Sequence, residues 1–192
     1  DAKLREALKA ITPLRRAYTA YRMRQGIGGQ SDEAEILRRL VDRYQSARTF
    51  VEFGFHPAEF NCASLLADHR GVLVDGSGHQ VSDAKALLKG DLDIRQEWLT
   101  LQTVPALGRA FPEIGVLSID VDGNDYWFLK ALLPARPHII CVEYNSSFVD
   151  HPVSATYDPY FDRHRKHPSA LYFGASLIAF ERLLTPAGYG LV

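Results

Sequence analysis

The feature that most constrains this chain is an alternation of short apolar runs with helical segments, which begins at residue 49. The apolar runs predict five strands, over 49–53, 72–75, part of 92–99, 116–120 and 138–143. The intervening patterns predict helices over 59–69, 82–88, 103–111 and 124–133, and a last helix over about 175–184. Because right-handed crossovers place helices on both faces of a parallel sheet, the alternation predicts a Rossmann-like three-layer α/β sandwich with a mostly parallel sheet.

The first 48 residues predict a helical extension, which precedes the Rossmann-like domain of residues 49–192 within one structural domain overall. Apolar residues at helical spacing indicate a first helix, which Pro13 should bend or break. Ser31 is the predicted N-cap of a second helix. Gly26, Gly28 and Gly29 lie between the two helices, and because they follow a helix rather than a strand they indicate a loop and not a phosphate cradle.

The charge balance narrows the classes of partner. The chain has 22 basic and 23 acidic residues, a net charge of −1, so it offers no general attraction for nucleic acid or for an anionic membrane. No apolar run approaches the roughly 20 residues needed to span a bilayer. Cys62 and Cys141 are too few for a disulfide scaffold, and we expect a cytoplasmic protein.

Carboxylates stand at the ends of four predicted strands, at Glu52, Asp75, Asp120 and Glu143. In parallel α/β sheets, ligands bind beyond the carboxyl ends of the strands, near the point where the strand order reverses. A carboxylate that caps the next helix explains any one of these positions. Four aligned carboxylates favour a polar ligand or a metal ion.

Asp75 follows Gly54 by 21 residues, close to the interval at which an acidic residue of Rossmann folds meets a ribose hydroxyl. Gly54 lacks a Cβ, so the backbone there can approach a ligand. The glycine-rich dinucleotide loop is absent, which favours a nucleoside ligand without phosphates. An NAD-dependent or nucleotide-sugar-dependent enzyme of the same fold is the alternative.

Five strings resemble class I S-adenosylmethionine-dependent methyltransferases of the FkbM-like family. They are VEFG (51–54), VDGS (74–77), LSIDVDGNDYWFLKAL (117–132), VEYNSSF (142–148) and YFGASLIAFERL (172–183). The resemblance implies a cofactor site that contains Glu52, Gly54, Phe55, Asp75, Gly76, Ser77, Thr100, Gln102 and Asp120. It implies that Asp75 holds the ribose and that Thr100 and Gln102 lie near the adenine. The chain departs from the family at Ala58, where members frequently carry a glycine.

Asp120, Glu143 and Asn145 offer hard oxygen ligands at the ends of adjacent strands and are the candidate Mg²⁺ ligands. In the alternative without a metal, Asp120 binds the cofactor amine, while Glu143 and Asn145 fix the following loop. Asn124 and Asp125 are expected to cap a helix.

The long polar segment 146–173 carries aromatic and hydrogen-bonding side chains that suit a hydroxylated acceptor. Asp120, His151 and His164 are the candidate catalytic residues, and His167 is a further candidate base. The predicted function is O-methylation of a small molecule, a saccharide or natural product, with Mg²⁺ assistance as one option. The alternative is a non-catalytic module that binds S-adenosylmethionine. The N-terminal helices are expected to cover the cofactor or to form a homodimer contact.

Overall fold

The computed structural model describes residues 11–25, 32–149 and 151–192, and a five-stranded parallel sheet lies at its centre. The strands are β1 (Thr49–Phe53), β2 (Arg70–Asp75), β3 (Asp91–Gln96), β4 (Val116–Ile119) and β5 (Ile139–Val142). Their order in the sheet is β3-β2-β1-β4-β5, and each neighbouring pair is parallel. The predicted Rossmann-like α/β fold is confirmed.

Seven α-helices of the described residues accompany the sheet. They are α1 (Thr12–Arg24), α2 (Glu33–Tyr44), α3 (Gly78–Leu87), α4 (Val104–Leu107), α5 (Asp125–Leu132), α6 (Arg163–Lys166) and α7 (Leu177–Leu184). Four 3₁₀ turns lie at Asn61–Leu65, Leu133–Ala135, Ser146–Phe148 and Thr185–Ala187. Within the described ranges, no helix is both long enough and apolar enough to cross a bilayer.

The strand order reverses at β1. Phe53, the last residue of β1, lies beside Val74 of β2 on one side and Ile119 of β4 on the other. The chain therefore moves to one side of β1 for β2 and β3, and to the other side for β4 and β5. Such a switch point leaves a crevice between the loops at the carboxyl ends of the two central strands.

Successive residues of β1 point to opposite faces of the sheet and enter two hydrophobic clusters. Val51 and Phe53 pack with α5 and α7 on one face. Phe50 packs on the other face, with Leu37 and Val41 of α2. Because both faces are covered, β1 is a continuous apolar run broken only by Glu52.

Three predicted helices have different limits. The α-helix predicted over 59–69 is wrong. The chain forms only a 3₁₀ turn in this region, over Asn61–Leu65. Phe60, Cys62 and Leu65 are all buried there, so the apolar residues do not define one face of an α-helix. The helix predicted over 82–88 begins earlier, because the Ser77 hydroxyl accepts a hydrogen bond from the Gln80 N–H and caps α3. The helix predicted over 103–111 ends at 107.

The two N-terminal helices pack against the sheet domain. Pro13 does not break α1 but lies in its first turn, where no backbone N–H is needed. Arg15 and Arg16 of α1 form ion pairs with Asp83 of α3, a residue only 2% exposed. The predictions for Gly26, Gly28, Gly29 and Ser31 lie outside the described residues, and the division at residue 48 stays a prediction.

Candidate functional site

A cavity of about 700 Å³ opens at the carboxyl ends of β1, β2 and β4, at the switch point of the sheet. The residues that line it come from these strand ends, from the segment after β3, from α1 and from the long polar segment. They are Arg22, Gly54, Phe55, His56, Glu59, Val74, Asp75, Gly76, Ser77, Gln80, Glu97, Trp98, Leu99, Asp120, Val121, Asp122, Asn124, Phe128, Pro159 and Phe161.

Gly54 joins the ends of β1 and β4. Its φ is +68°, and a Cβ at this position would lie 1.5 Å from the backbone oxygen of Asp120. Its N–H donates to Val74 O at 3.1 Å, and the Asp120 N–H donates to Phe53 O at 3.1 Å. The glycine that the sequence indicates for ligand approach is therefore also required by the packing of the protein itself.

Asp75 ends β2 and presents a half-buried carboxylate to the cavity. Its Oδ1 accepts the Ser77 N–H at 2.6 Å. Burial raises the pKa of Asp75, while hydrogen bonds from the N–H groups of Ser77 and Phe55 lower it. Backbone donors thus orient this carboxylate at the predicted ribose position, and Phe55, Gly76 and Ser77 line the cavity around it.

Glu97 and Trp98 follow β3 directly and line the cavity, although the sequence analysis did not select them. A Cβ on Gly76 would meet the Trp98 ring at 3.0 Å, so the indole lies against the turn after Asp75. Its Nε1–H donates to Pro159 O at 2.8 Å. The third strand, predicted within 92–99, is Asp91–Gln96, so Glu97 is the first residue after the strand.

Thr100 and Gln102, the predicted adenine neighbours, do not line the cavity. The Thr100 N–H and the Thr103 hydroxyl oxygen are 3.0 Å apart in a turn that leads into α4. Gln102 is exposed, and its N–H donates to the Thr100 hydroxyl at 3.3 Å. Leu99 reaches the cavity instead.

Glu52 lies beneath the cavity rather than on its wall, with 1% of its surface exposed. Its carboxylate accepts the N–H of Asn61 at 2.8 Å and the N–H of Cys62 at 2.9 Å. Burial raises the pKa of Glu52 to about 7, against the effect of these hydrogen bonds. Glu52 therefore holds the connection that follows β1, and its role in the cofactor site stays a prediction.

Three carboxylates converge beside the cavity. Oxygens of Asp120, Asp125 and Glu143 lie within 4.8 Å of one another. Burial raises the pKa of Asp120 to about 6, and the charge of Asp122 adds to the rise. Burial and the charges of Asp120, Asp125 and Asp122 raise the pKa of Glu143 to about 7, and its buried Oε2 accepts no hydrogen bond from the described part of the chain.

Asp125 is fully buried and shapes the turn after β4. Its two oxygens accept the N–H groups of Val121 and Gly123, each at 2.9 Å. Burial raises the pKa of Asp125 to about 6. Asn124, the expected cap of the next helix, makes no capping bond, because its Oδ1 accepts the Asp158 N–H at 3.3 Å while its Nδ2 donates to Asp158 O at 2.8 Å.

Asn145, a predicted metal ligand, uses its amide within the protein. Its Nδ2 donates to Leu171 O at 2.8 Å and to Phe173 O at 2.9 Å, and its Oδ1 accepts the Ser147 N–H at 2.9 Å. These contacts favour the alternative in which Asn145 fixes the following loop. Its role as a ligand stays a prediction.

Of the three predicted catalytic residues, Asp120 lines the cavity and the two histidines do not. His151 and His164 are exposed. His56, from the loop after β1, does line the cavity, and its Nδ1 accepts the Ala58 N–H at 3.2 Å. The catalytic roles of His151 and His164 stay predictions.

The covering segment, residues 157–161, forms one side of the cavity. The Phe161 ring packs on Gly123 so closely that a Cβ there would lie 2.1 Å from the ring. Further contacts hold the segment through backbone oxygens of Asp158 and Pro159. The long polar segment is therefore partly a wall of the cavity.

Arg163 follows this segment and is held in place beside the acidic cluster. Its Nε donates to Ala170 O at 3.1 Å, and its guanidinium carbon lies 3.9 Å from the centre of the Phe173 ring. Its NH1 contacts Asp122 Oδ1 at 2.7 Å. The charge of Arg163 lowers the pKa values of Asp120 and Glu143, against the effect of burial.

Solved structures share this fold at low sequence identity. A Klebsiella pneumoniae protein named as a candidate O-methyltransferase matches with a TM-score of 0.51 and 19% identity, over 81% of this chain and 78% of that one. The N-terminal domain of EvdMO1 with SAH bound matches with a TM-score of 0.53 and 14% identity, over 83% and 72%. The same domain in the presence of SAH and D-fucose gives 0.51 and 14%, over 91% and 87%. No family model and no curated protein matches the chain, so its FkbM-like membership stays a prediction.

Proposed function

We propose that this chain is an S-adenosylmethionine-dependent methyltransferase that acts on a hydroxyl group of a small molecule, a saccharide or a natural product. The observation that carries the proposal is the Asp75 carboxylate, which backbone donors hold at the cavity wall between the Trp98 indole and the β1 end. A carboxylate in this position can accept both hydroxyls of a ribose. The indole beside it offers a flat apolar surface for a base.

The strand order indicates how the cofactor is oriented in the cavity. Trp98 follows β3, Asp75 ends β2, and Asp120 follows β4 on the far side of β1. With the ribose at Asp75, the adenine lies toward Trp98 and the amino-acid portion lies toward Asp120. The acceptor then approaches the sulfonium from the side of the acidic cluster and the covering segment.

The matched structures support this proposal beyond the fold. Two of them are described with SAH, the product that remains after methyl transfer, and one of these was obtained in the presence of D-fucose. A sugar is a polyhydroxylated acceptor of the kind that the aromatic and polar residues of the covering segment suit.

Glu52 argues against a dinucleotide. In dinucleotide-binding folds, the N–H groups that follow the first strand bind the pyrophosphate. In this chain the N–H groups of Asn61 and Cys62 are already bound to the buried Glu52 carboxylate. A pyrophosphate at the start of the 3₁₀ turn would find these donors occupied and a carboxylate behind them, so the connection after β1 does not offer the pyrophosphate site of a dinucleotide-binding fold.

In methyl transfer an acceptor oxygen attacks the methyl carbon of the sulfonium. The O–C bond forms as the C–S bond breaks, the electron pair stays on sulfur, and the hydroxyl proton must leave. Asp120 lines the cavity with a pKa of about 6, so its carboxylate is mostly ionised at neutral pH and can accept that proton.

The acidic cluster fits a divalent cation. Three carboxylates with oxygens within 4.8 Å of one another suit the hard ligand set that Mg²⁺ prefers, and the buried Glu143 Oε2 has no hydrogen bond from the described residues. Burial is the main cause of the raised pKa values, and the charges of Asp120 and Asp125 further raise the pKa of Glu143. A bound cation would favour the ionised carboxylates against both effects. In this proposal Asp125 joins Asp120 and Glu143 as a ligand in place of Asn145. A bound Mg²⁺ would lower the pKa of an acceptor hydroxyl.

Calorimetric titration with S-adenosylhomocysteine tests the cofactor site. We expect the wild-type chain to bind and Asp75→Ala to bind about tenfold more weakly or worse, because the ribose loses a charged acceptor. Asp91→Ala is the matched control, since Asp91 pairs with Arg70 at an exposed position at the start of β3. Folded wild-type protein that binds NAD and not S-adenosylhomocysteine would contradict the proposal.

Transfer of a tritiated methyl group to a panel of sugars and phenolic natural products separates an enzyme from a binding module. We expect transfer to at least one hydroxylated acceptor. Activity that persists unchanged in excess chelator would exclude a required cation. Binding of the cofactor without any transfer would favour the non-catalytic module.

A further inference from the structure

Charge is unevenly distributed around the cavity. Of the described lining residues, five carry carboxylates, namely Glu59, Asp75, Glu97, Asp120 and Asp122. Arg22 is the only arginine or lysine among them. His56 also lines the cavity, and its Nδ1 accepts the Ala58 N–H at 3.2 Å. Among the described residues, Arg22 therefore supplies the one permanent positive charge that an anionic group meets at the cavity wall.

Arg22 lies at a defined end of the cavity. Its NH2 group contacts the Glu59 carboxylate, which belongs to the loop that follows β1. The β1 end separates the Asp75 side of the cavity from the Asp120 side. The guanidinium therefore lies beside the loop after β1, which the cofactor passes on its way from Asp75 toward Asp120 in the proposed orientation.

Two contacts at the start of α1 hold the helix that carries Arg22. Arg15 and Arg16 pair with the buried Asp83 of α3, seven and six residues before Arg22. In an α-helix these separations correspond to about 9–11 Å along the axis. The helix thus spans from α3 to the loop after β1, and it places one arginine at the cavity wall.

We propose that Arg22 binds the α-carboxylate of the cofactor's amino-acid portion, an inference that rests on the proposed methyltransferase function. S-Adenosylmethionine carries one carboxylate beside an ammonium and a sulfonium. The cavity carboxylates suit the two cationic groups, whereas the α-carboxylate needs a cation. A guanidinium has five N–H donors, so Arg22 can keep its ion pair with Glu59 and still bind a second carboxylate. The N-terminal helix is then part of the cofactor site and determines specificity for a ligand with a free carboxylate.

Two ligands that differ in this group provide the test. S-Adenosylhomocysteine has the amino-acid portion, and 5′-methylthioadenosine lacks it but keeps the adenosine and the sulfur. In calorimetric titrations we expect Arg22→Gln to weaken S-adenosylhomocysteine binding about 10- to 100-fold and to leave 5′-methylthioadenosine binding within about twofold. Arg24→Gln, an exposed substitution in the last turn of the same helix, is the matched control and should change neither.

A double variant distinguishes direct binding from a charge effect of Glu59. If Arg22 only neutralises Glu59, the double variant Arg22→Gln/Glu59→Gln regains wild-type affinity for S-adenosylhomocysteine, which would overturn the proposal. If Arg22→Gln lowers the affinity for both ligands equally, Arg22 has a general structural role, and this result would also overturn the proposal. If the wild-type chain binds neither ligand, the methyltransferase proposal itself fails. Wild-type binding with an unaffected Arg22→Gln variant refutes the role of Arg22 alone.

Discussion

At the scale of single residues, Gly54 shows how ligand approach and packing can require the same amino acid. The sequence indicates a glycine for close contact with a cofactor. In the fold, the backbone oxygen of Asp120 occupies the space in which a side chain would stand, and the positive φ adds conformational strain for any other residue. Gly54 therefore ties the two sides of the switch point together.

We expect Gly54→Ala to lower the free energy of unfolding by more than about 2 kcal/mol, because the β4 end must move away from β1. Urea denaturation measures the change. Gly190→Ala is the control, since no atom lies within 4 Å of the corresponding Cβ position. Equal midpoints for the two variants would contradict the packing role.

The acidic cluster gives a pH dependence of stability. The folded pKa values of Asp120 and Glu143, about 6 and about 7, lie above their ordinary values of 3.8 and 4.5. Between these values the folded state binds more protons than the unfolded state, so stability falls as pH rises through this range. Asp68 and Asp83 have lowered pKa values and lose their contributions only at lower pH.

In chelator, we therefore expect the melting temperature to be higher at about pH 5 than at about pH 7.5. Glu143→Gln should reduce this difference, because it removes one of the carboxylates that must ionise. Thermal melts at the two pH values measure the effect. An unchanged difference in the variant would show that the pH dependence arises elsewhere.

At the scale of elements, the attachment of α1 depends on one buried carboxylate. Asp83 receives the guanidinium groups of both Arg15 and Arg16, with Arg15 at 2.6 Å and Arg16 at 3.1 Å. Removal of Asp83 takes away the buried carboxylate that both guanidinium groups share, although both arginines retain some contact with solvent.

Asp83→Ala should lower the free energy of unfolding by about 2 kcal/mol and expose α1 to limited proteolysis. Asp91→Ala, which removes an exposed pair with Arg70, should change stability by less than about 1 kcal/mol. Resistance of α1 to protease in the Asp83 variant would show that other contacts hold the helix.

The elements also show what sequence patterns could predict. The strand segments and Asp75 were predictable because an apolar run followed by a carboxylate marks the end of a buried parallel strand. Glu97 and Trp98 also follow a strand end. However, β3 lies at the edge of the sheet and its exposed and partly buried residues alternate, so the sequence does not mark the residue at which the strand ends. Arg22 and the covering segment could not be found this way, because they reach the cavity through tertiary packing and not through a local pattern.

At the scale of the whole molecule, α2 packs into the hydrophobic core of the sheet. Leu37 and Val41 are 3% and 5% exposed and cover the face of the sheet that contains Phe50. Burial of two such side chains contributes about 3–6 kcal/mol, a large part of the stability of a typical domain.

A chain of residues 49–192 should therefore fail to fold, whereas a chain of residues 32–192, which keeps α2, should fold. Near-ultraviolet circular dichroism and binding of a hydrophobic dye compare the two. A cooperative melt of the 49–192 chain would show that the sheet domain is stable without α2 and would support a domain boundary at residue 48.

The two sides of the cavity differ in how they are built. Strand ends, fixed by the hydrogen bonds of the sheet and by the contact at Gly54, form one side. The covering segment forms the other, with the Trp98 indole bonded to Pro159 O as a bridge between them. Backbone hydrogen bonds of the sheet hold the strand side, whereas a few side-chain contacts hold the covering segment, so we expect the covering segment to open more easily. Exchange of a bound nucleoside should then be fastest where the covering segment opens, and amide hydrogen exchange should slow there first when the cavity is filled.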